Sequence, residues 1–206
     1  MYFCNDVDLM VWEPGIFGDA AFGHQLVVRE AAGMLTGTAL VTGAVLGSVV
    51  PGMVGQVVLA DGSLTQLLEI TAVADSSHAT VSGLRARADG DLVMPLVGGS
   101  VKVSVMTFRP QIAAVGDELL GVVGVGSDRE TEPAATLADL RGFRTAAVMG
   151  TLAAVLRTIS TGEDVSNAML AKRDFYLKSY MALRRRLESR VNGREVRAAV
   201  GALARE

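Results

Sequence analysis

The chain has 206 residues, half of them hydrophobic but only 5% aromatic, and a formal net charge of −3. That length can bury a substantial core built from small branched side chains. Its 23 glycines are scattered without period, which excludes collagen and low-complexity linkers, and the negative balance argues against a nucleic-acid-binding surface over the whole molecule. The single cysteine, Cys4, excludes an internal disulfide and suits a reducing compartment.

The opening Met-Tyr-Phe-Cys-Asn-Asp has no basic stretch before its acids, so no secretory signal is expected. Asp6, Asp8, Leu9, Met10 and Trp12 form a mixed segment that turns at Pro14-Gly15. A short helix is expected from Asp19, a good N-cap, to Ala32, with Phe22, Leu26 and Val27 on its apolar face and Gly33 as its stop. The most apolar window, Met34 to Val50, falls short of the ~20 residues a membrane span needs and carries several Thr and Gly, so buried strands are expected there.

From Met34 to Phe108 the pattern changes to strands. Val54–Leu59 leads into the turn pair Asp61-Gly62, and Leu67–Ala74 follows. Asp75-Ser76-Ser77-His78 then reads as a four-residue hairpin loop before Ala79–Leu84. Val101–Phe108 alternates over its whole length, as a half-buried strand does. Short strands with Gly/Asp turns point to a small barrel or sandwich, SH3-like or OB-like.

Beyond Phe108 the periodicity is helical. Pro110 suits a first turn, and Ile112, Val115, Leu119 and Val122 share a face until Gly121, Gly124 and Gly126. A charged linker, Ser127–Pro133, precedes a cap at Thr136–Asp139 and a helix with Val148, Leu152, Val155 and Ile159 in line, closed by Gly162. A second long helix is expected from Ser166 to Val191, its stripe formed by Met169, Tyr176, Tyr180, Leu183 and Leu187, with Asp174 and Lys178 as an i,i+4 pair. Asn192-Gly193 breaks it before a last short helix, Arg194–Arg205. The fold class expected is α+β: a mainly helical frame, a helical hairpin plus flanking helices from residues 1–33 and 109–192, with a small β barrel or sandwich inserted at 34–108 and a C-terminal docking tail at 193–206.

Residues that carry chemistry are sparse. A metal site needs three or four clustered ligands, whereas His24, His78 and Cys4 stand far apart and read as surface or turn residues. Asp89-Gly90-Asp91 lacks the rest of a calcium loop and reads as a solvated turn, as do Asp6 and Asp8. There is no Gly-x-Ser-x-Gly elbow, and Gly121, Gly124 and Gly126 follow a helix rather than a strand, so no phosphate loop is expected. No catalytic residue, cofactor or metal is expected.

Charge is the informative feature. Acids outnumber bases up to Thr161, whereas from Lys172 onward the bases dominate. Arg184-Arg185-Arg186 fans around more than half of a helix, since successive residues rotate by about 100°; Arg184 and Arg185 read as a solvated face. Arg190, Arg194 and Arg197, with Val196, Val200 and Leu203 opposite, have the layout of an amphipathic docking segment.

Pro110-Gln111-Ile112-Ala113-Ala114-Val115, Glu118-Leu119-Leu120-Gly121 and Leu152-Ala153-Ala154-Val155-Leu156 are followed by Lys172-Arg173-Asp174-Phe175-Tyr176-Leu177-Lys178-Ser179-Tyr180 and Leu183-Arg184-Arg185-Arg186-Leu187. In these segments, within Pro110 to Val191, the chain resembles the head-to-tail connector (adaptor) proteins of tailed bacteriophages. The resemblance implies a structural virion protein of the neck, assembled in the host cytoplasm as a ring, commonly of twelve copies, under the portal. Its partners would be the portal, downstream neck or tail proteins, and genomic DNA passing through the lumen without sequence reading; no membrane is involved. It implies no catalytic residues, and for portal docking it extends only to the C-terminal segment Arg194–Arg205. The β insertion departs from the simplest all-helical members of that family. Two other readings stay open: another neck or tail protein, such as a stopper or tail terminator whose barrel forms the ring, and a small-ligand-binding β module. A concave, polar-lined pocket in the β domain is the feature that would distinguish the last.

Overall fold

The computed structural model describes residues 2–85, 87, 89–122, 140–159, 167–191 and 194–197. The chain is of the mixed α+β class and divides into two compact units, Asn5–Thr107 and Met1–Cys4 with Phe108–Glu206.

In the first unit, Asn5 caps helix α1 (Asp6–Trp12). Its Oδ1 accepts from the Asp8 amide at 3.1 Å, and the Asp8 carboxylate accepts from the Asn5 amide at 3.0 Å, a reciprocal capping box. Asp6, expected in a solvated turn, is buried (1% exposed) and accepts a 2.7 Å hydrogen bond from the Thr107 hydroxyl. The solvated-turn reading of Asp6 and Asp8 is therefore corrected. A carboxylate taken out of water needs such a donor.

The helix expected over Asp19–Ala32 does not form. Asp19 does cap a turn, accepting from the Ala21 amide at 2.9 Å, but this is a short 3-10 segment, Ala20–Gln25, that runs directly into an eleven-residue strand, β1 (Leu26–Thr36). The helical frame expected from residues 1–33 therefore lacks its main helix, and these residues belong instead to the unit that holds the barrel from Asn5 on. The physical reason is long-range pairing: β1 is hydrogen-bonded along both of its sides, and those partners outweigh the weak local preference of Glu30-Ala31-Ala32 for helix.

Strands β1, β2 (Ala39–Thr42), β3 (Val54–Leu59), β4 (Thr65–Val73), β5 (His78–Ser82) and β6 (Gly99–Met106) form a closed antiparallel barrel in the order β1-β2-β5-β4-β3-β6. The two hairpins expected around Asp61-Gly62 and Asp75–His78 are present, pairing β3 with β4 and β4 with β5. Gly62 sits at φ 75°, a conformation an L side chain adopts only at a cost. In β6 the expected alternation holds from Val101 to Val105, with Val101, Val103 and Val105 buried and Lys102 exposed, but the strand ends at Met106 and not Phe108, and Met106, Thr107 and Phe108 are all buried. Leu35, Leu40, Val57, Leu68, Ile70 and Val81 complete a barrel interior filled by side chains.

In the second unit, α2 (Arg109–Val122) buries Ile112, Val115 and Leu119, as the spacing indicated. Helix α3 (Leu140–Ile159) packs against both α2 and α4 (Asn167–Arg186). It is buried without a break from Ala146 to Ala153, so it has no polar face there. Gly150 lies where the three helices meet: a Cβ on it would stand 2.7 Å from a Val115 methyl carbon and 2.9 Å from the Tyr180 ring. In α4, Tyr176 and Tyr180 are buried, and Leu187 just beyond it is too; Met169 and Leu183 are half-buried. Asp174 pairs with its neighbour Arg173 at 2.8 Å. The N-terminal segment of this unit is anchored by Phe3 stacked on Phe143, with ring centroids 4.8 Å apart, and by the Arg109 guanidinium 4.6 Å over the Tyr2 ring. The linker 127–133, the cap at 136–139, Gly124, Gly126 and Gly162 lie outside the described residues.

The chain beyond α4 differs from expectation. Glu188–Val191 is a strand, β7, rather than the end of the helix, and it pairs with β8 (Arg194–Arg197), where a helix was expected to begin. Asn192-Gly193, read as a helix break, lies outside the described residues.

Two outcomes test this packing. Gly150→Ala should destabilise the chain: the ~1 kcal/mol gained in helix propensity is outweighed by ~1–3 kcal/mol of overpacking, seen as a lower midpoint in thermal or urea melts. Leu187→Ala should cost ~2–5 kcal/mol, and clearly more than Leu183→Ala, because only Leu187 is fully buried.

Candidate functional site

The sequence placed its candidate docking residues at the end of the long helix and on the last short helix, with Arg190, Arg194 and Arg197 on one face and Val196, Val200 and Leu203 opposite. Four of them fall instead on the β7–β8 hairpin: Arg190 on β7 and Arg194, Val196 and Arg197 on β8. In its register Arg190 stands opposite Glu195, Val191 opposite Arg194, Ser189 opposite Val196 and Glu188 opposite Arg197. The amphipathic helix is therefore replaced by a basic ribbon in which two of the three arginines oppose a glutamate. Val200 and Leu203 lie outside the described residues.

The arginine run that leads into this ribbon divides. Arg184, read as solvated, is half-buried and makes a 2.7 Å ion pair with Glu118 of α2, so it links α2 to α4. Arg185 and Arg186 are exposed. Sequence reasoning could not pair residues 118 and 184, since their proximity depends on how α2, α3 and α4 stack.

The isolated residues His24 and His78 are exposed. His78 Nδ1 lies 2.9 Å from the Asp75 carboxylate. That carboxylate also accepts from the Ser77 and His78 amides at 2.8 and 2.9 Å, closing the β4–β5 turn. These bonds hold the Asp75 carboxyl down to about 2, the Ser77 amide first among the causes and the His78 side chain second. Cys4, expected at the surface, is buried (6% exposed), because the Phe3–Phe143 stack anchors its segment. Among the described residues no three His, Cys, Asp or Glu side chains are grouped to hold a metal ion, and no helix is long and apolar enough to cross a membrane.

What the sequence reading missed is the connection between β5 and β6. It is held from inside by polar groups. Arg85 makes a bidentate pair with Glu69 on β4, at 2.9 and 2.7 Å, and also donates to the Gly90 carbonyl at 3.1 Å. The Ser82 hydroxyl accepts from the Val93 amide at 2.8 Å, and the Gln66 side chain accepts from the Leu96 amide at 2.8 Å. With its backbone fixed in this way, the loop presents its apolar side chains outward: Leu84, Leu92, Val93, Met94 and Leu96 are all at least 44% exposed, Leu96 reaching 83%. The β1–β2 turn is next to it, since a Cβ on Gly37 would meet the Met94 sulfur at 3.7 Å, and Met34 and Val41, cross-strand partners on that hairpin, are exposed too. The signal in the sequence was the apolar run Leu92-Val93-Met94-Pro95-Leu96-Val97 between Asp91 and Gly98-Gly99, too short and irregular for an element.

The barrel interior is filled, but its outer wall has a depression of about 250 Å³ under the 3-10 segment, with Asp19, Arg29, Glu30, Gln56 and Ser104 around it. Family models, curated proteins and solved structures were compared with the chain, and none matches it.

The turn at Asp75 yields a pH prediction. Its carboxyl is depressed in the folded chain, so its contribution to stability is complete above the ordinary carboxylate range near 4 and is lost as pH falls through about 2. Carbon-detected NMR of the side-chain carboxyl should give a midpoint near 2. A midpoint at the ordinary value would mean that the turn is not closed by these bonds.

Proposed function

We propose that this chain is a non-catalytic structural protein of a virion neck, a head-to-tail connector (adaptor) that assembles in the host cytoplasm into a ring under the portal and joins head to tail. The observation that carries this reading is the apolar loop between β5 and β6. Its backbone is secured by Glu69–Arg85, Ser82 and Gln66, yet it exposes Leu84, Leu92, Val93, Met94 and Leu96. A loop held by these hydrogen bonds that exposes several large apolar side chains has the character of a contact surface between proteins. Glu69–Arg85, Arg184–Glu118 and Arg173–Asp174 are ion pairs within the fold, which is consistent with a role in assembly.

In this reading the basic end of the chain, from Arg185 and Arg186 through Arg190, Arg194 and Arg197, faces the portal. Val196, Val200 and Leu203 supply the apolar part of the docking segment. DNA passes through the lumen without sequence-specific contacts, and the ring is proposed to hold twelve copies. The closed barrel, together with its apolar loop, favours a second reading within the same class: a stopper or tail terminator in which the barrels themselves form the ring. A small-ligand-binding β module would have to use the outer depression at Arg29 and Glu30, because the interior is occupied by side chains.

Full-length protein should assemble into rings visible by negative-stain microscopy and co-sediment with empty, portal-bearing heads. Met94→Asp with Leu96→Asp should leave the melting midpoint nearly unchanged, as both side chains are exposed, yet shift the protein to a smaller species in light scattering. Truncation after Asn192 should keep the fold and lose the heads. A chain that stays monomeric at high concentration and ignores portal-bearing heads would overturn the connector reading.

A further inference from the structure

The barrel has two ends, and its topology fixes what lies at each. Every neighbouring pair of strands is antiparallel, so the β1–β2, β3–β4 and β5–β6 connections gather at one end. The β2–β3 and β4–β5 connections, the entry to β1 and the exit from β6 gather at the other. Helix α1 is tied to this second end. Its Asp6 accepts the 2.7 Å bond from Thr107, just past β6, and its cap Asn5 lies beside Gly52 of the β2–β3 connection.

Both ends expose apolar side chains. At the loop end Leu64, Leu84, Leu92, Val93, Met94 and Leu96 are each at least 41% exposed. Together they leave on the order of 600 Å² in water, the upper range for the largest patch on a monomer and most of the ~800 Å² that each partner gives to a standard interface. The hydrogen bonds from Arg85, Ser82 and Gln66 already order this loop, so little further ordering is needed on contact. At the α1 end Val11 and Trp12 are exposed, and Val45 of the β2–β3 connection is 75% exposed. That connection is also held in place, the Leu46 amide donating to the Ser76 carbonyl at 2.8 Å. Trp12 is the one tryptophan of the chain, and a half-exposed indole is the type of anchor that dominates protein interfaces.

A two-fold contact that pairs either end with its own copy leaves the opposite patch in water. A contact between unlike ends covers one patch of each kind at every junction, and such heterologous contacts build rings or filaments. We propose, on the reading of the β5–β6 loop as a contact surface, that its partner is the Trp12–Val45 end of a second copy, so that the loop end of one barrel meets the α1 end of the next.

Variants of the full-length chain, each blocked at one end, test this by gel filtration with light scattering. The parent should be oligomeric. Met94→Asp with Leu96→Asp blocks the loop end, and Trp12→Gln with Val45→Asp blocks the α1 end; each variant alone should be monomeric. Mixed in equal amounts they should form a one-to-one dimer and nothing larger, since the mixture offers one intact end of each kind per pair. Circular dichroism checks the fold, and where Trp12→Gln disturbs it, Val45→Asp alone takes its place in the mixture. Val45→Asp alone should weaken self-association at least about fivefold. The proposal is overturned if the parent is monomeric, if the mixture forms no dimer, if the variant blocked at the α1 end assembles as the parent does, or if Val45→Asp alone has no effect. No portal enters these measurements. A chain that behaves as expected here but ignores portal-bearing heads overturns the connector reading alone, and one that binds heads while its blocked variants fail to pair overturns this contact alone.

Discussion

Strand β1 has to serve two neighbours, and the barrel exists only because it does. Gly33, Met34 and Leu35 are paired on one side with Thr42, Val41 and Leu40 of β2, and on the other with Val101, Ser100 and Gly99 of β6. Those three residues close the sheet on itself and leave no free edge. The geometry is tight: a Cβ on Gly33 would stand 2.8 Å from the Val41 carbonyl oxygen, so a residue without a side chain is needed at the closure. Upstream, β1 must curve to stay with β6, and it does so through an irregularity between Val28 and Ala31. There Glu30 adopts φ 42°, which is strained for a residue with a side chain, and its amide is satisfied by the Ser104 hydroxyl at 3.0 Å.

Closing the sheet in this order leaves a long connection between β5 and β6, and the polar contacts beneath it follow from that. The Glu69–Arg85 pair is nearly out of solvent, with side-chain exposures of 8% and 12%. Such a pair gives little net stability, since the two charges lose water as they gain each other; its value lies in fixing one conformation. Its bidentate geometry, with Ser82 and Gln66 acting on the same loop, sets where Leu92, Met94 and Leu96 emerge. The apolar surface on the barrel is thus a consequence of topology as much as of composition.

The helical unit uses the opposite device. Where the barrel is filled, the crossing of α2, α3 and α4 is narrowed by Gly150, and small residues beside it leave space bordered by Tyr180. Close approach of the helices and the cavity beside them have the same cause, the small size of Gly150, Ala153 and Ala154 along one stretch of α3. Arg184–Glu118 then spans α2 and α4, so a residue from the arginine run that drew attention as a surface feature holds helices together instead.

Much of this was legible from the sequence, wherever the signal was local. The turns at Asp61-Gly62 and Asp75–His78, the alternation of β6, and the helical spacing of Ile112, Val115 and Leu119 depend on residues close in the chain, and the structure follows them. The sequence by itself determined that the chain is α+β, with a small antiparallel β region followed by helices, and with its basic residues gathered toward the end. Tertiary structure alone decided the rest. Leu26–Thr36 became a strand because two distant strands offered it hydrogen bonds on both sides, which no window of its own residues records. Arg194–Arg197 became a strand because Glu188–Val191 was available to pair with it, so local amphipathicity was outcompeted. Asp6 with Thr107, Glu69 with Arg85, and Glu118 with Arg184 are separated by 101, 16 and 66 residues. Polar partners at such distances are chosen by which surfaces the fold buries together, since a charge or hydroxyl removed from water must find whatever group the packing places beside it.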